Sequence, residues 1–305
     1  MSLQHAQTVV LWNPSAGTSA SAAHLRDRIA VDQRLQLVET SSRDEAQQAI
    51  RDAAGRGCRR IIVAGGDGTV GAAVDALTSE NRDLELAVLP LGTGNDLARS
   101  LAMPLDPDAA LDVCIAGAAA PMDVLHAEVS EGRRYVANMV TAGNSGRYTH
   151  LLTDEQKQAW GPFCYLRGVL DVLQDLTVYD IACSFDDQPA EQFRVLNLFL
   201  ANGRTSGGGV TVAPEASLDD GLLDCILILD GTPLELASLT ADYVMTSFLN
   251  NELVVWRRCR SVRISAVQSL PFSADGDVLG DAPATFTVQP GALRVVRGPA
   301  PAASA

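Results

Sequence analysis

Apolar and polar positions alternate with two different periods along this chain. In the first third, short apolar runs at residues 8–12, 35–38, 60–64 and 86–89 read as strands. The run at 60–64 ends in glycines, as buried parallel strands often do. Between them, residues 22–31, 42–54, 69–77, 95–101 and 108–116 carry helical spacing. Strand–helix alternation at this spacing predicts a doubly wound α/β domain, a parallel sheet with helices on both faces.

Beyond about Pro121 the pattern changes. Residues 124–129, 134–140, 178–185, 195–201, 222–229, 261–266 and 285–288 read as strands punctuated by turn residues, with helices at 165–176 and 233–249. This half is mainly β and is expected to form a sandwich. The predicted organisation is an α/β domain over residues 1–122 and a β-rich domain over 123–297, with a cleft between them, a common place for a ligand. A tail of Ala, Pro and Ser over 298–305 has nothing to bury and is expected to be disordered.

Composition narrows the functions. A 47% hydrophobic fraction over 305 residues supports a sizeable core. The net charge of −14 disfavours nucleic acid as a partner and opposes an electrostatic hold on anionic membranes. Arg257-Arg258-Cys259-Arg260 is the candidate local basic patch, or simply a solvated strand flank. The six cysteines form no CxxC pair, which suits buried free thiols in a reducing compartment. The first ten residues show no signal-peptide pattern, and no apolar run approaches the ~18 residues of a spanning helix. A cytoplasmic protein is expected.

Three strand-end loops carry candidate chemistry. Gly65-Gly66-Asp67-Gly68-Thr69 follows a buried strand and opens a helix. Ligands bind at such strand ends, and glycines there let backbone N–H groups approach phosphate beside a helix N-terminus. A structural turn with Thr69 capping the helix is the alternative. Pro90 to Arg99 (PLGTGNDLAR) is a second strand-to-helix loop, where Asn95 or Asp96 could act only as a cap. Asn13 to Gly17 is a third. The single lysine, Lys157, is far from all of them, and no GxxxxGK[ST] exists, so a P-loop is excluded. The dinucleotide fingerprint is missing after the first strand, and the four scattered histidines support no zinc site.

GGDGT followed about 25 residues later by PLGTGNDLAR resembles the diacylglycerol kinase catalytic-domain family, in its small bacterial lipid kinase branch. These proteins are also similar to sphingosine kinases and, more distantly, to NAD kinases and phosphofructokinases. Asn13 to Gly17, Gly207-Gly208-Gly209 through Pro214, Asp219 to Leu223, and Ser273 to Asp277 resemble further family segments, so the resemblance spans nearly the whole chain. It implies an ATP-dependent kinase acting on a lipid hydroxyl, diacylglycerol-like, with magnesium and a transient contact with the inner membrane surface. By this resemblance Thr40, Gly65, Gly66, Asp67, Gly68, Thr69, Val70, Gly71, Thr93, Asn95 and Asp277 would serve the nucleotide. Asp220, with Ser217 and Leu222 through their main chain, would match a magnesium site. Asp275 would be the general base, although unaided it reads as an Asp-Gly turn.

Two positions depart from the family pattern: Gly71 stands where Asn is usual, and Asp277 where Glu is usual. A soluble-metabolite kinase of the NAD kinase type, or a non-catalytic nucleotide-binding protein, are the alternatives. The Trp160-Gly161-Pro162-Phe163 turn and Trp256-Arg257-Arg258 are the candidate membrane contacts.

Overall fold

The computed structural model describes residues 7–19, 21–80, 84–144, 176–244, 248–275 and 277–299. The expected helix at 165–176 and the Trp160–Phe163 turn lie outside these residues, apart from Leu176.

Four parallel strands form one end of the fold: β1 (Thr8–Trp12), β2 (Leu35–Glu39), β3 (Arg60–Gly65) and β4 (Glu85–Pro90), in the order β2-β1-β3-β4. Every residue of β3 and β4 is buried, which explains why both read as continuous apolar runs. Helices α1 (Ala23–Val31), α2 (Arg43–Gly55), α3 (Asp67–Ser79), α4 (Asp96–Ser100) and α5 (Pro107–Ala116) connect them. Local chemistry sets the starts of α2 and α5. Ser42 accepts from the Glu45 N–H and Asp106 from the Ala109 N–H, satisfying donors that a helix start leaves free.

The remaining strands pair antiparallel with one another: β5 (Ala119–Val129), β6 (Gly132–Val136), β7 (Met139–Gly143), β8 (Tyr179–Phe185), β9 (Glu191–Ala201), β10 (Thr205–Ser206), β11 (Val210–Thr211), β12 (Leu223–Leu229), β13 (Val254–Cys259), β14 (Ser261–Ala266), β15 (Pro271–Ala274), β16 (Asp277–Asp281) and β17 (Ala284–Val296). Helix α6 spans Pro233–Val244. They form the expected C-terminal β-sandwich, with its own core around Phe272 and Phe286.

Strand β17 joins the halves. It pairs antiparallel with β5 along its length and with β14 at its start. Its last residues run parallel to β4, with Arg294 opposite Glu85 and Val295 opposite Leu86. The chain therefore returns to the first sheet after building the second half. Gly298 donates to the Leu101 carbonyl, so the anchored chain extends one residue into the stretch read as a tail.

Two expectations need correction. The strand read over 134–140 is two strands, β6 and β7, broken at Asn138. Its carbonyl accepts from the Asn202 and Gly203 N–H groups, and its side chain donates to the Thr205 carbonyl, so the backbone cannot continue a ladder there. Of the helix read over 233–249, α6 is described over Pro233–Val244, residues 245–247 lie outside the described residues, and Phe248–Asn250 is a 3₁₀ turn rather than α-helix. The segment around Arg257, read as a basic patch or a solvated strand flank, is a strand, β13, paired with β12.

Among the described residues no helix is long and apolar enough to cross a membrane. The five described cysteines, Cys58, Cys114, Cys183, Cys225 and Cys259, are buried and in no disulfide, while Cys164 lies outside the described residues.

Candidate active site

The parallel strands bring the three loops together at their carboxyl ends. Asn13 N–H donates to the Ala64 carbonyl, Leu91 N–H to Gly65, and Thr40 N–H to Trp12. Glycine at 66 and 92 serves close backbone approach, since a Cβ on Gly92 would lie 2.5 Å from the Gly66 Cα. A Cβ on Gly94 would lie 2.6 Å from Asp67 Oδ2. Asn95, at φ 57°, grips Gly92 in both directions: Oδ1 accepts from its N–H at 2.9 Å and Nδ2 donates to its carbonyl at 2.7 Å.

Asp67 caps a helix that is not its own. Its two oxygens accept the N–H groups of Asn95 and Asp96, both at 2.8 Å, at the start of α4. Asp96 continues the chain of contacts. Its carboxylate is buried and accepts from the Gly208 N–H at 2.9 Å and the Gly209 N–H at 2.7 Å. The GGDGT loop, the GTGND loop and the triple-glycine turn of the β-rich half are thereby tied in series. Burial and the neighbouring Asp96 charge raise the Asp67 pKa, against the backbone donors that favour the ionised form.

Thr69 does not cap α3. The N-cap is Gly66, without a side-chain bond, and the Thr69 hydroxyl accepts from Asn13 Nδ2 at 2.8 Å. The Gly65 position is closed to a side chain by Thr69, whose Cβ would lie 2.7 Å away. Val70 packs in the core and its N–H bonds Gly66, so it turns its side chain away from the loop surface. Thr93 is exposed, beside Gly17. The Thr40 hydroxyl is buried with no partner among the described residues.

Asp275 arrives from the other half. The β15–β16 hairpin places it in a left-handed backbone conformation, φ 52°, against the first two turns of α3. A Cβ on Gly71 would lie 2.9 Å from Asp275 Oδ2, and one on Gly68 would lie 3.4 Å from its carbonyl. A side chain at 71 would press on the Asp275 carboxylate, which would have to shift to admit it. A cavity of about 190 Å³ opens here, with Gly68, Gly71, Asp275 and Asp277 in its wall. No described residue donates a hydrogen bond to the Asp275 carboxylate. Burial, then the charges of Asp67, Asp277 and Asp96, push its pKa up to about 8, opposed by Arg43.

Arg43 and Arg134 also line the cavity, and motif reading missed both. Arg43 pairs with Asp277 at 2.7 Å and with Asp75 at 3.3 Å. Nothing in the sequence marks Arg43 beyond its place after the Ser42 cap, because its partners are 32 and 234 positions away.

Ser217, Asp220 and Leu222 lie elsewhere in the network. Asp220 pairs with Arg258 and accepts from the Leu222 N–H, while the Ser217 hydroxyl donates to Asp219. Buried Asp123 holds this turn, accepting from the Gly221 and Gly291 N–H groups. No hydrogen bond or ion pair among the described residues joins it to the GGDGT loop or to Asp275. Both Asp220 oxygens are engaged, and Arg258 already balances the charge, so the turn as found does not fit a magnesium ion. No group of three or more His, Cys, Asp or Glu among the described residues could hold a metal.

The candidate basic patch is also altered by packing. Arg258 is paired, and the Trp256 indole N–H donates to Asp224 at 2.7 Å, leaving Arg257 exposed beside them.

Two family models match the chain. One, the diacylglycerol kinase catalytic domain, matches residues 7–127, and the other, the YegS C-terminal NAD kinase beta sandwich-like domain, matches 138–297. The chain is 32% identical over 291 residues to a Pseudomonas fluorescens protein named "Probable lipid kinase YegS-like", covering 94% of this chain and 93% of that one. It is 28% identical over 226 residues to a Staphylococcus carnosus diacylglycerol kinase, covering 74% and 72%. Its fold is similar to the crystal structure of a diacylglycerol kinase from Bacillus anthracis, with a TM-score of 0.75, 20% identity, and coverage of 97% and 98%.

Proposed function

Because the chain belongs to the diacylglycerol kinase catalytic-domain family, we propose that it transfers the γ-phosphate of magnesium-bound ATP to a lipid hydroxyl. The observation that carries this reading is the meeting of Asp275 with the start of α3 in one cavity. The first turn of a helix leaves N–H groups without intrahelical partners, and exposed Gly68 leaves them open to a phosphate. The Asp275 carboxylate, free of donors among the described residues, accepts the proton of the attacking hydroxyl as the new P–O bond forms. The strained left-handed backbone at Asp275 suits a residue held for chemistry.

A lipid acceptor is favoured by the family, whose relatives include proteins named as lipid and diacylglycerol kinases. Tyr135, Val136, Val278 and Leu279 line the cavity, and Val278 is 74% exposed at its mouth. The exposed Val278 side chain gives a diacylglycerol-like molecule one apolar contact beside a mainly polar cavity, with its hydroxyl reaching Asp275 while its chains stay in a bilayer. Membrane contact is accordingly transient and local, since the net charge of −14 opposes a general attraction to anionic lipid.

The test is turnover with γ-labelled ATP, magnesium and vesicles containing diacylglycerol, with NAD offered in parallel. Label in the lipid phase is expected. Label in NADP, or nucleotide binding with no turnover on a mixed lipid extract, overturns the proposal.

A further inference from the structure

The cavity beside Asp275 has a cationic wall assembled from both halves of the molecule. Arg43, the first residue of α2, is held at two points: Nη2 donates to Asp277 at 2.7 Å and Nη1 to Asp75 at 3.3 Å. Asp75 on α3 is buried and shared. Its Oδ1 accepts from the Tyr135 N–H at 3.0 Å, and its Oδ2 lies 3.6 Å from Arg134 Nη1. Two guanidiniums from α2 and β6 thus flank one buried carboxylate, and both line the cavity that contains Asp275.

This wall answers an electrostatic need. Asp67, Asp96, Asp275 and Asp277 place negative potential where an anionic phosphoryl group would have to enter, and repulsion in a partly buried cleft is strong. Phosphoryl transfer depends on positioning and on neutralising that charge. Among the described residues lining the cavity, Arg43 and Arg134 are the cations. A guanidinium has five N–H donors in a rigid fork, so Arg43 retains donors after bonding its two acids. Its tethers also fix where those donors point.

We propose that Arg43, held by Asp75 and Asp277 with Arg134 beside it, binds the γ-phosphoryl group of the nucleotide in this cavity. Asp277 is then a positioning residue: its short side chain sets the reach of Arg43 over the cavity. The inference rests on the kinase reading above and adds the group that recognises the transferred phosphate.

Comparing ATP with ADP isolates this role, because a brace between α2 and β16 would affect both nucleotides alike. Calorimetry with Mg·ATP and Mg·ADP is carried out on the wild type, Arg43→Gln and Arg43→Lys, with thermal melts alongside. Arg43→Gln should lose about tenfold to a hundredfold in ATP affinity, the range for one hydrogen bond to a charged group, while ADP affinity stays within about twofold. Arg43→Lys should recover part of the ATP-specific loss, since it keeps the charge without the fork. Equal losses for both nucleotides, or none, overturn the proposal, as does a lowered melting temperature with unchanged selectivity. Should Arg43→Gln not fold, Arg43→Lys and Arg134→Gln carry the comparison, and absence of an ATP-specific loss in both sinks it. A wild type that binds neither nucleotide removes the kinase reading as well. A wild type that phosphorylates lipid while Arg43→Gln matches it removes this inference alone.

Discussion

Two acidic regions meet in the cleft and do opposite work. At the ends of β3 and β4, Asp67 and Asp96 spend their oxygens on four backbone N–H groups, from Asn95, Asp96, Gly208 and Gly209. At the β15–β16 turn, Asp275 has no donor among the described residues, and its pKa is pushed up to about 8. Saturated carboxylates build the loops, and the unsaturated one remains available for proton transfer. Conserving charge in a motif is therefore a poor guide to chemistry until the donors around each carboxylate are known.

The largest effect should come from Asp275→Asn, which removes the proton acceptor with little change of shape. Turnover should fall at least ~10²-fold with Mg·ATP affinity nearly intact. Retention of more than half the activity on purified lipid would show that the base lies elsewhere.

The same variant tests the pKa. Folded Asp275 titrates at about 8, well above its ordinary value of 3.8. Between those values the folded protein holds a proton that the unfolded chain has lost, so stability falls as pH rises through this window. Asn cannot ionise and escapes that fall. The melting-temperature advantage of Asp275→Asn over the wild type should be larger at pH 8.5 than at pH 5, and an equal difference at both contradicts the raised pKa. For the wild type, kcat/KM should rise with pH toward about 8, as the free base forms.

On the building side, Gly92→Ala should separate the two loops, because its Cβ would lie 2.5 Å from the Gly66 Cα. We expect a stability loss of roughly 1–3 kcal/mol, the usual cost of forcing atoms into a packed site, together with weaker Mg·ATP binding. Wild-type melting and affinity in this variant would show that the contact yields easily. Asp96→Ala leaves the Gly208 and Gly209 N–H groups without their acceptor and should cost about 1–3 kcal/mol in denaturant unfolding. Its effect on the chemical step should be smaller than that of Asp275→Asn, and the reverse order would erase the contrast between the two regions.

The smallest effect is expected from Asp277→Glu. It restores the family's longer carboxylate but must keep Arg43 in place, so activity should stay within a few-fold of wild type. A large fall would mean that the site is fitted closely to the shorter acid.

Much of this was legible in the residues. Each parallel strand and its following helix announced itself locally, because a buried strand must be apolar throughout and a helix needs an amphipathic face. The strands β13, β15 and β16 did not. They are short, partly polar, and become strands only by pairing: β13 with β12, β15 with β7, and β16 with β15. Thr69 looked like a cap from its place after GGDG, but Asn13, 56 positions away, claims its hydroxyl.

The sequence by itself determined the two-part architecture, the strand-end loops and the family, since periodicity and contiguous motifs are local properties of the chain. Tertiary structure alone decided which carboxylates are saturated, that position 71 abuts the Asp275 carboxylate, and which arginines face the cavity. The pairs Gly71–Asp275 and Arg43–Asp277 each span more than 200 positions. No local pattern encodes such distances. They arise when the β15–β16 hairpin is laid against α3, and burial there sets the proton affinity of Asp275.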